Sequence, residues 1–433
     1  MTQHQAVVYR GATVITGAEG GPVIPSADLV VDEGRIVAVG PAGTADSGGE
    51  VVDLGGRFVM PAIINPHVHI GYMRDGFEDA AHYSRENILD HLRRFAYHGV
   101  GVVQSLGTDR DDTELALREE QRSGELRETG LATLYTAGTG LVAPTPGSTN
   151  GGAHFAADVL REVTDPEAAR REVRALAAKR VDVVKFWLDS RNGTKAKMEP
   201  PVYRAIIDQA HREGLRVIAH IHDLDDAKGV IRTGVDGTAH LVREPGPDRE
   251  LIDLLLERDV FMFTSLGIQR GITLGAALLD DPFLAETVTE TERDVLREQL
   301  KAAPEQVVRY MTGVYRTLRD EVKELVAAGV RLVLSADTGL SSQFPGFAEH
   351  FELASMVDAG MTPAQAIDAG TAQAARVLGI ERLQGTLAAG KKADFVVLAA
   401  NPLDDIVHTR RIVDVHLAGE RVDRQGLRAR WTA

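Results

Sequence analysis

The sequence predicts an α/β protein: a (β/α)8 TIM barrel with a small β-sandwich domain formed by the two ends of the chain. Through the middle of the sequence, runs of β-branched residues alternate with helical patterns, which predicts parallel strands joined by crossover helices. Both ends consist instead of short strands and tight turns. We therefore predict a β-sandwich made from residues 1–59 and 387–433, and a barrel over residues 60–386.

The composition is that of an ordinary globular protein. Its 433 residues are 44% hydrophobic and 26% charged, enough for a large core and a smaller domain. A formal charge of −15 argues against general binding to nucleic acid or an anionic membrane, although a locally positive site could still bind an anionic small molecule. We see no signal peptide and no apolar run of membrane-spanning length, so we expect a cytoplasmic protein. There is no cysteine, so any metal must be held by histidine, carboxylate or a modified side chain.

The two ends of the chain carry clear β-hairpin signals. Residues 28–40 form two β-rich segments joined by Asp-Glu-Gly, in which Gly34 can take the positive φ that such a turn requires. Residues 393–398 read as a strand, and a second hairpin surrounds Gly419. Each piece is too small to bury a core alone, so we predict that they pack together as one sandwich.

Eight strands with intervening helices are predicted between these ends. A helix opens at Asp165-Pro166-Glu167, where an N-cap precedes a first-turn proline, and another ends at Gly214. Residues 267–313 are long for a connection between a strand and a helix, and we expect a lid or an oligomer contact there. The strands are expected at 59–69, 99–106, 132–136, 181–187, 215–220, 237–240, 260–264 and 330–337.

Polar residues that can bind metal recur at the ends of these strands. His67 and His69 are separated by one residue, so a strand would place them on one face. Taken singly, each candidate could be structural: a histidine with satisfied hydrogen bonds, or a lysine whose stem crosses apolar surface. A barrel brings all its strand ends to one face, so their joint occurrence predicts one shared site. The other candidates are Lys185, His220, His240 and Asp337.

Four motifs give the chain a family resemblance. They are residues 60–69 ending in His-Val-His, Ser-Ala-Asp-Thr at 335–338, Thr-Ala-Gln-Ala-Ala-Arg-Val-Leu-Gly at 371–379, and Gly-Thr-Leu-Ala-Ala-Gly-Lys-Lys-Ala-Asp at 385–394. With them the sequence resembles the amidohydrolase superfamily in its binuclear, carboxylated-lysine form, and within it the imidazolonepropionase-like and prolidase-like branch. The resemblance covers nearly the whole chain. Ala62 and Asn65 replace the family's usual Gly and Asp, and neither position is a ligand.

The resemblance implies a site for two divalent metal ions. His67 and His69 would hold one ion together with Asp337, while His220 and His240 would hold the second. A carbamate derived from CO₂ on Lys185 would bridge the two ions. This chemistry needs a neutral amine, and burial lowers the pKa of a lysine. Zinc fits imidazole and oxygen ligands best, and manganese or iron would also fit.

The reaction implied is hydrolysis of a C–N bond in a small molecule, such as an amide, a cyclic amide or a dipeptide. Two ions about 3.5–4 Å apart bind a bridging water and make it hydroxide near neutral pH. Asp337 would take the proton from this water and pass it to the leaving group as general acid and base.

Other functions remain open at this point. A lactone or phosphotriester hydrolase would use the same metal centre without a protonated amine leaving group. A catalytically inactive scaffold would be indicated by lost metal ligands, and none is lost here. A deaminase fits less well, because deaminases of this kind usually use one metal and do not need a modified Lys185.

Several residues near the predicted mouth of the barrel are candidates for binding the substrate. Each of them could equally be a surface or structural group. His154 and His222 are also candidates for catalysis, as groups that polarise the scissile carbonyl. We further expect a small-molecule substrate and a homo-oligomer, with no nucleic-acid or membrane partner. The substrate-binding candidates are Tyr72, Arg74, His154, His222 and Arg243.

Overall fold

The structure is a computed structural model that describes residues 6–43, 49–126, 128–144, 158–191, 193–243, 245–340 and 342–432. Within these ranges the strands are β1 (Val7–Ile15), β2 (Val23–Asp32), β3 (Arg35–Pro41), β4 (Glu50–Asp53), β5 (Phe58–Pro61), β6 (Ile63–Val68), β7 (Met73–Arg74), β8 (Phe77–Glu78), β9 (Val100–Ser105), β10 (Thr133–Thr136), β11 (Leu141–Val142), β12 (Arg161–Glu162), β13 (Val184–Trp187), β14 (Val217–His220), β15 (Gly237–Ala239), β16 (Phe261–Phe263), β17 (Leu332–Val333), β18 (Phe395–Leu398), β19 (Ile412–Leu417) and β20 (Glu420–Arg421). The α-helices are α1 (Arg85–Tyr97), α2 (Thr113–Ser123), α3 (Pro166–Ala178), α4 (Pro200–Arg212), α5 (Leu224–Thr233), α6 (Arg249–Arg258), α7 (Gly267–Leu274), α8 (Glu290–Ala302), α9 (Glu305–Ala328), α10 (Phe347–Asp358), α11 (Pro363–Ala369), α12 (Ala372–Leu378) and α13 (Arg424–Thr432). None of these helices combines the length and the apolar character needed to cross a bilayer.

The predicted (β/α)8 barrel is confirmed. Its eight strands are all parallel to their neighbours, and the ring closes where Val68 of the first strand bridges Thr338 beyond the last. The third position in the ring is shared by β10 and the short β11, whose Leu141 pairs with Phe186 of β13. The strands lie in the order β6, β9, β10 with β11, β13, β14, β15, β16 and β17.

Two strands differ most from their predicted extent. The run 59–69 divides into two elements, because residues up to Pro61 pair with β18 in the terminal sheet and the barrel strand begins only at Ile63. The last strand was predicted over residues 330–337, but it covers only Leu332–Val333. The Leu334 N–H turns away to donate to the Ala369 carbonyl, and Asp337 adopts a positive φ of 50°.

The two ends of the chain share a second sheet. Its strands run β20-β19-β18-β5-β1-β2-β3, with β4 also paired to β1. Strand β5 joins β18 antiparallel, from Phe58 opposite Leu398 to Pro61 opposite Phe395. The C-terminal end is not all β as expected: it finishes in α13, whose Trp431 indole donates to Asp90 of α1 at 2.8 Å. The domain limits given above remain predictions.

The segment 267–313 is folded rather than an open loop. It contains α7, α8 and the first part of α9, and α8 begins with a capping box between Thr289 and Glu292. Its apolar residues pack with three phenylalanines, Phe344, Phe347 and Phe351, in and next to α10. A lid or oligomer role for this segment stays a prediction.

The pairing of β5 with β18 leads to a stability prediction. Removing residues 387–433 deletes β18 and leaves the apolar edge of β5 without a partner. We expect the shortened protein to aggregate, as judged by solubility and size-exclusion chromatography. A control that stops at residue 423 lacks only α13 and should stay soluble. A soluble and active protein without residues 387–433 would contradict the prediction.

Candidate metal centre

Five of the six predicted metal ligands lie at the C-terminal ends of barrel strands or in the turns that follow them, and the sixth, Lys185, lies within β13. Each is at most 6% exposed to solvent. Positions up to 270 residues apart in sequence therefore occupy one buried region, because every barrel strand ends at the same face. These residues are His67 at the end of β6, His69 just beyond it, Lys185 in β13, His220 at the end of β14, His240 after β15 and Asp337 after β17.

The carboxylate of Asp337 connects three histidines. Its Oδ1 lies 3.1 Å from Nε2 of His67 and 3.2 Å from Nε2 of His69. Its Oδ2 lies 3.9 Å from Nε2 of His240. His240 in turn faces His220, with ring centroids 4.6 Å apart. The two pairs of histidines predicted to bind separate ions are thus neighbours across Asp337.

Two sets of three side chains present ligand atoms that lie within 4.8 Å of one another. One set is His67, His240 and Asp337, and the other is His220, His222 and His240. Because His240 belongs to both sets, two ions held there would be close neighbours.

Hydroxyl groups hold the rings of the first two histidines from behind. Nδ1 of His67 lies 3.0 Å from Oγ of Ser335, which lies 2.7 Å from Oγ of Ser265. Nδ1 of His69 lies 3.1 Å from Oγ1 of Thr108. Such outer contacts orient metal-binding imidazoles and leave Nε2 facing the site.

Asn65, one of the two departures from the family pattern, has a defined structural role. Its amide nitrogen donates to Oε1 of Glu349 at 2.6 Å and to Oγ1 of Thr338 at 3.2 Å, and its oxygen accepts from the His67 N–H at 3.1 Å. Burial raises the pKa of Glu349 to about 7. Asn65 therefore ties the backbone of the histidine motif to the segment that carries Asp337.

The protonation states suit metal binding. Burial lowers the pKa of His67, His220 and His240 well below the usual value, so these rings are neutral. Burial also lowers the pKa of Lys185, to about 7. Burial alone would raise the pKa of Asp337, but the His67 and His69 rings outweigh it and hold that pKa well below the usual range. Neutral imidazoles and an ionised carboxylate are the forms that bind metal.

The residues fit the ions that the family resemblance implies. Among the described residues, Nζ of Lys185, Nε2 of His220 and Nε2 of His222 are buried without a hydrogen-bond partner. An unsatisfied buried polar group costs about 1–3 kcal/mol. Imidazole nitrogens and a carboxylate without any sulfur form a donor set for zinc or a similar transition metal.

Asp189 is a site residue that sequence reasoning missed. Its Oδ2 lies 3.2 Å from Nδ1 of His222 and 3.6 Å from Nε2 of His220, and it also pairs with Nε of Arg191 at 3.3 Å. The residue follows β13 by two positions, in a loop without a recognisable motif. Its only sequence signal is its place after the end of the fourth strand.

The structure gives a different result for each of the predicted substrate-binding residues. His222 lies with His220 and His240 in one of the two groups that could hold a metal ion, and the Arg243 backbone N–H donates to the His222 carbonyl at 2.9 Å. Tyr72 is buried and donates its hydroxyl to the Thr108 carbonyl at 2.7 Å. Arg74 has a 59% exposed side chain near Asp75 and lines a different, surface cavity. His154 lies outside the described residues.

Comparison with known proteins gives consistent matches along nearly the whole chain. The model of the amidohydrolase family, Amidohydro_1, matches residues 58–422. An imidazolonepropionase from Deinococcus radiodurans is 27% identical over 439 residues, covering 96% of this chain and 99% of the relative. The structure of a Xaa-Pro dipeptidase with bound methionine superposes with a TM-score of 0.77 at 20% identity, covering 96% of this chain and 99% of the other. The structure of Aspergillus niger ochratoxinase gives a TM-score of 0.74 at 19% identity, covering 96% and 95%.

Gly339 provides a test of how tightly the site is built. Its φ is +102°, and a Cβ there would lie 1.8 Å from the carbonyl oxygen of His69. We expect Gly339→Ala to destabilise the fold by about 3 kcal/mol or more and to lower bound metal, because it forces β6 and the Asp337 segment apart. Thermal unfolding and metal content measure both effects.

The matched control is Gly313→Ala in α9, where the added Cβ meets nothing within 4 Å. This change should leave stability equal or raise it by up to about 1 kcal/mol, because alanine favours a helix. Equal stability of the two variants would contradict the tight approach at Gly339.

Proposed function

The chain belongs to the amidohydrolase family, and we propose that it is a metal-dependent hydrolase that cleaves a C–N bond in a small molecule: an amide, a cyclic amide or a dipeptide bond. The observation that carries the proposal is the buried group of four histidines, a lysine and an aspartate at one end of the barrel. The imidazolonepropionase and Xaa-Pro dipeptidase matched above support this class of reaction.

Two divalent ions, with zinc the best fit, would be held by these side chains. His67, His69 and Asp337 would hold one ion. His220 and His240 would hold the other. When bound, the ions supply Lewis acidity that polarises a carbonyl and lowers the pKa of water toward neutrality.

Lys185 would carry a carbamate between the two sets of ligands. Its Nζ is buried, has no hydrogen-bond partner among the described residues and lies 5.0 Å from the centre of the Trp187 ring. With a pKa of about 7, a large fraction of the amine is unprotonated near neutral pH. The unprotonated amine adds to CO₂ and releases one proton, which leaves an anion suited to two cations.

Asp337 is the proposed general base and acid. Its carboxylate is ionised before the reaction, so it can accept a proton from the attacking water. Asp337 then donates the same proton to the nitrogen of the leaving amine, so the proton taken from water is accounted for and the carboxylate returns to its ionised form. An amine must receive this proton in order to leave, whereas the alkoxide released from an ester depends on it less.

His222 contributes a second polar group facing the substrate. Burial lowers its pKa to about 4, so the ring is neutral and has one N–H. Nδ1 lies 3.2 Å from Oδ2 of Asp189, so the carboxylate favours the N–H on Nδ1, which leaves Nε2 as an acceptor. This arrangement suits accepting a hydrogen bond from a substrate N–H. His154 and His222 were predicted to polarise the scissile carbonyl. For His222 to do so, its ring proton would have to be on Nε2 instead of Nδ1.

Metal content and hydrolysis test the proposal directly. We expect purified protein, reconstituted with zinc and bicarbonate, to hold two ions per chain by elemental analysis. A panel of N-acyl amino acids, dipeptides, cyclic amides, lactones and phosphotriesters should show hydrolysis of members with a C–N bond. Protein with no tightly bound metal after reconstitution would contradict the metal centre. Turnover confined to lactones or phosphotriesters would contradict the C–N assignment.

Lys185→Ala tests the carbamate. If Lys185 carries the carbamate, the change would remove an anion that helps to hold both ions, so metal content and rate should fall together. Acetate or propionate should partly restore the rate, because a free carboxylate can occupy the vacated space. The measurement is bound metal and rate, with and without added carboxylate.

Lys301→Ala is the matched control, since that lysine is exposed and, among the described residues, pairs only with Glu298 on its own helix. It should keep metal content and rate, with no response to carboxylate. Full metal content and a near-normal rate in untreated Lys185→Ala would overturn the carbamate mechanism.

A further inference from the structure

Arg243 lies against the metal centre without being one of its ligands. It follows His240 by three residues, and its backbone N–H donates to the carbonyl of His222 at 2.9 Å. Its positive charge acts on the His222 ring and lowers the pKa of that ring, next after the effect of burial. The guanidinium is therefore near the ends of β14 and β15, and the Asp189 and Asp337 carboxylates are among the groups that act on it.

Arg243 has no direct ion-pair partner within the described part of the chain. No described carboxylate lies within 4.0 Å of its guanidinium nitrogens, the limit for an ion pair. Its polar neighbour is Gln269 of α7. With the amide oriented to satisfy both groups it faces, Gln269 accepts from Nη2 of Arg243 at 3.3 Å and donates to the Ser265 carbonyl at 3.0 Å. A neutral amide holds the guanidinium in place without neutralising it.

Charges of both signs among the described residues act on Arg243 from beyond ion-pair distance. Burial lowers the pKa of Arg243 to about 10; the Asp189 carboxylate offsets part of this effect, and Arg191 adds to it. The Asp189 carboxylate is already shared between Arg191 at 3.3 Å and His222 at 3.2 Å. A largely buried cation of this kind is costly unless an anion joins it.

The segment 267–313 forms the outer part of these surroundings. Gln269 comes from α7, and Tyr310 in α9 is among the side chains close enough to act on Arg243. Tyr310 is 42% exposed, so it lies where this region meets solvent. A ligand bound to Arg243 would therefore lie between the metal centre and this helical segment.

We infer that Arg243 binds a carboxylate of the substrate, so that the enzyme acts on amides that carry a free carboxyl group, such as N-acyl amino acids or dipeptides. The inference rests on the proposed function, because it places the carboxylate beside the same catalytic centre. The planar guanidinium presents two parallel N–H donors that match the two oxygens of a carboxylate. Gln269 keeps the plane of the guanidinium in position to bind the carboxylate.

The test compares each amide substrate as its free acid and as its carboxamide, which has nearly the same shape and no charge. For the metal-loaded protein we expect kcat/KM to favour the acid. In Arg243→Gln this preference should fall about 10- to 100-fold, the range expected for losing hydrogen bonds between charged groups. The loss should appear mainly in KM for the acid. Arg243→Lys should keep part of the preference, because it retains the charge without the planar fork.

Arg212→Gln is the matched control, because Arg212 ends α4 at the opposite face of the barrel and pairs with Asp208. It should keep the full preference, and all variants should hold the same metal content. An unchanged preference in Arg243→Gln would overturn the inference. Preferred hydrolysis of neutral amides by the unmodified protein would also overturn it, while leaving the proposed function in place. Failure of the metal-loaded protein to hydrolyse any amide would refute the proposed function and the inference together.

Discussion

The closure of the barrel between its first and last strands is the constraint on which the candidate site depends. Val68 bridges Thr338, and the His69 N–H donates to the Thr338 carbonyl at 2.7 Å. This contact places the His-Val-His motif against Thr338, the residue that directly follows Asp337. Asp337 itself has a φ of 50°, a left-handed conformation that costs a residue with a side chain roughly 1–2 kcal/mol. Backbone hydrogen bonds across the closure hold the aspartate in that conformation, with its carboxylate against two imidazoles.

A set of buried carboxylates supports the strand ends behind the metal centre. Glu114 accepts from the hydroxyls of Ser105 and Thr136, at the ends of β9 and β10. Glu352 accepts from the Thr264 hydroxyl at 2.5 Å, and Glu321 accepts from the Val242 N–H at 3.1 Å. Burial raises the pKa of each of these glutamates, which makes the neutral form accessible and lowers the cost of burying it. Side chains from the surrounding helices therefore hold in place the strand ends and turns that carry the candidate site.

Much of the fold and the metal ligands could be predicted because both depend on short, regular patterns. Parallel strands that are buried on both faces appear in the sequence as apolar runs, and the predicted ligands lie at or near the ends of these runs. The barrel prediction alone is therefore enough to bring His67, Lys185 and His220 together. Asp189 could not be found in this way, since its approach to His222 depends on how an irregular loop turns after β13. The division of 59–69 into two strands was missed because it depends on β18, far along the sequence. Arg74 was predicted at the mouth from its position after the first strand, yet its side chain is largely exposed beside Asp75.

Because the shared sheet contains strands from both ends of the chain, it can be completed only late in synthesis. Strand β5, directly before the histidine motif, has β18 as a partner, and about 340 residues separate Phe58 from Leu398. At a synthesis rate of about 5–20 residues per second, roughly 20–70 s pass before β18 has been made. During that interval the apolar residues Val59 and Met60 lack this neighbour. An almost complete barrel is therefore synthesised before the strand leading into the His-Val-His motif gains this neighbour, so the shared sheet can be completed only once the last tenth of the chain is being made.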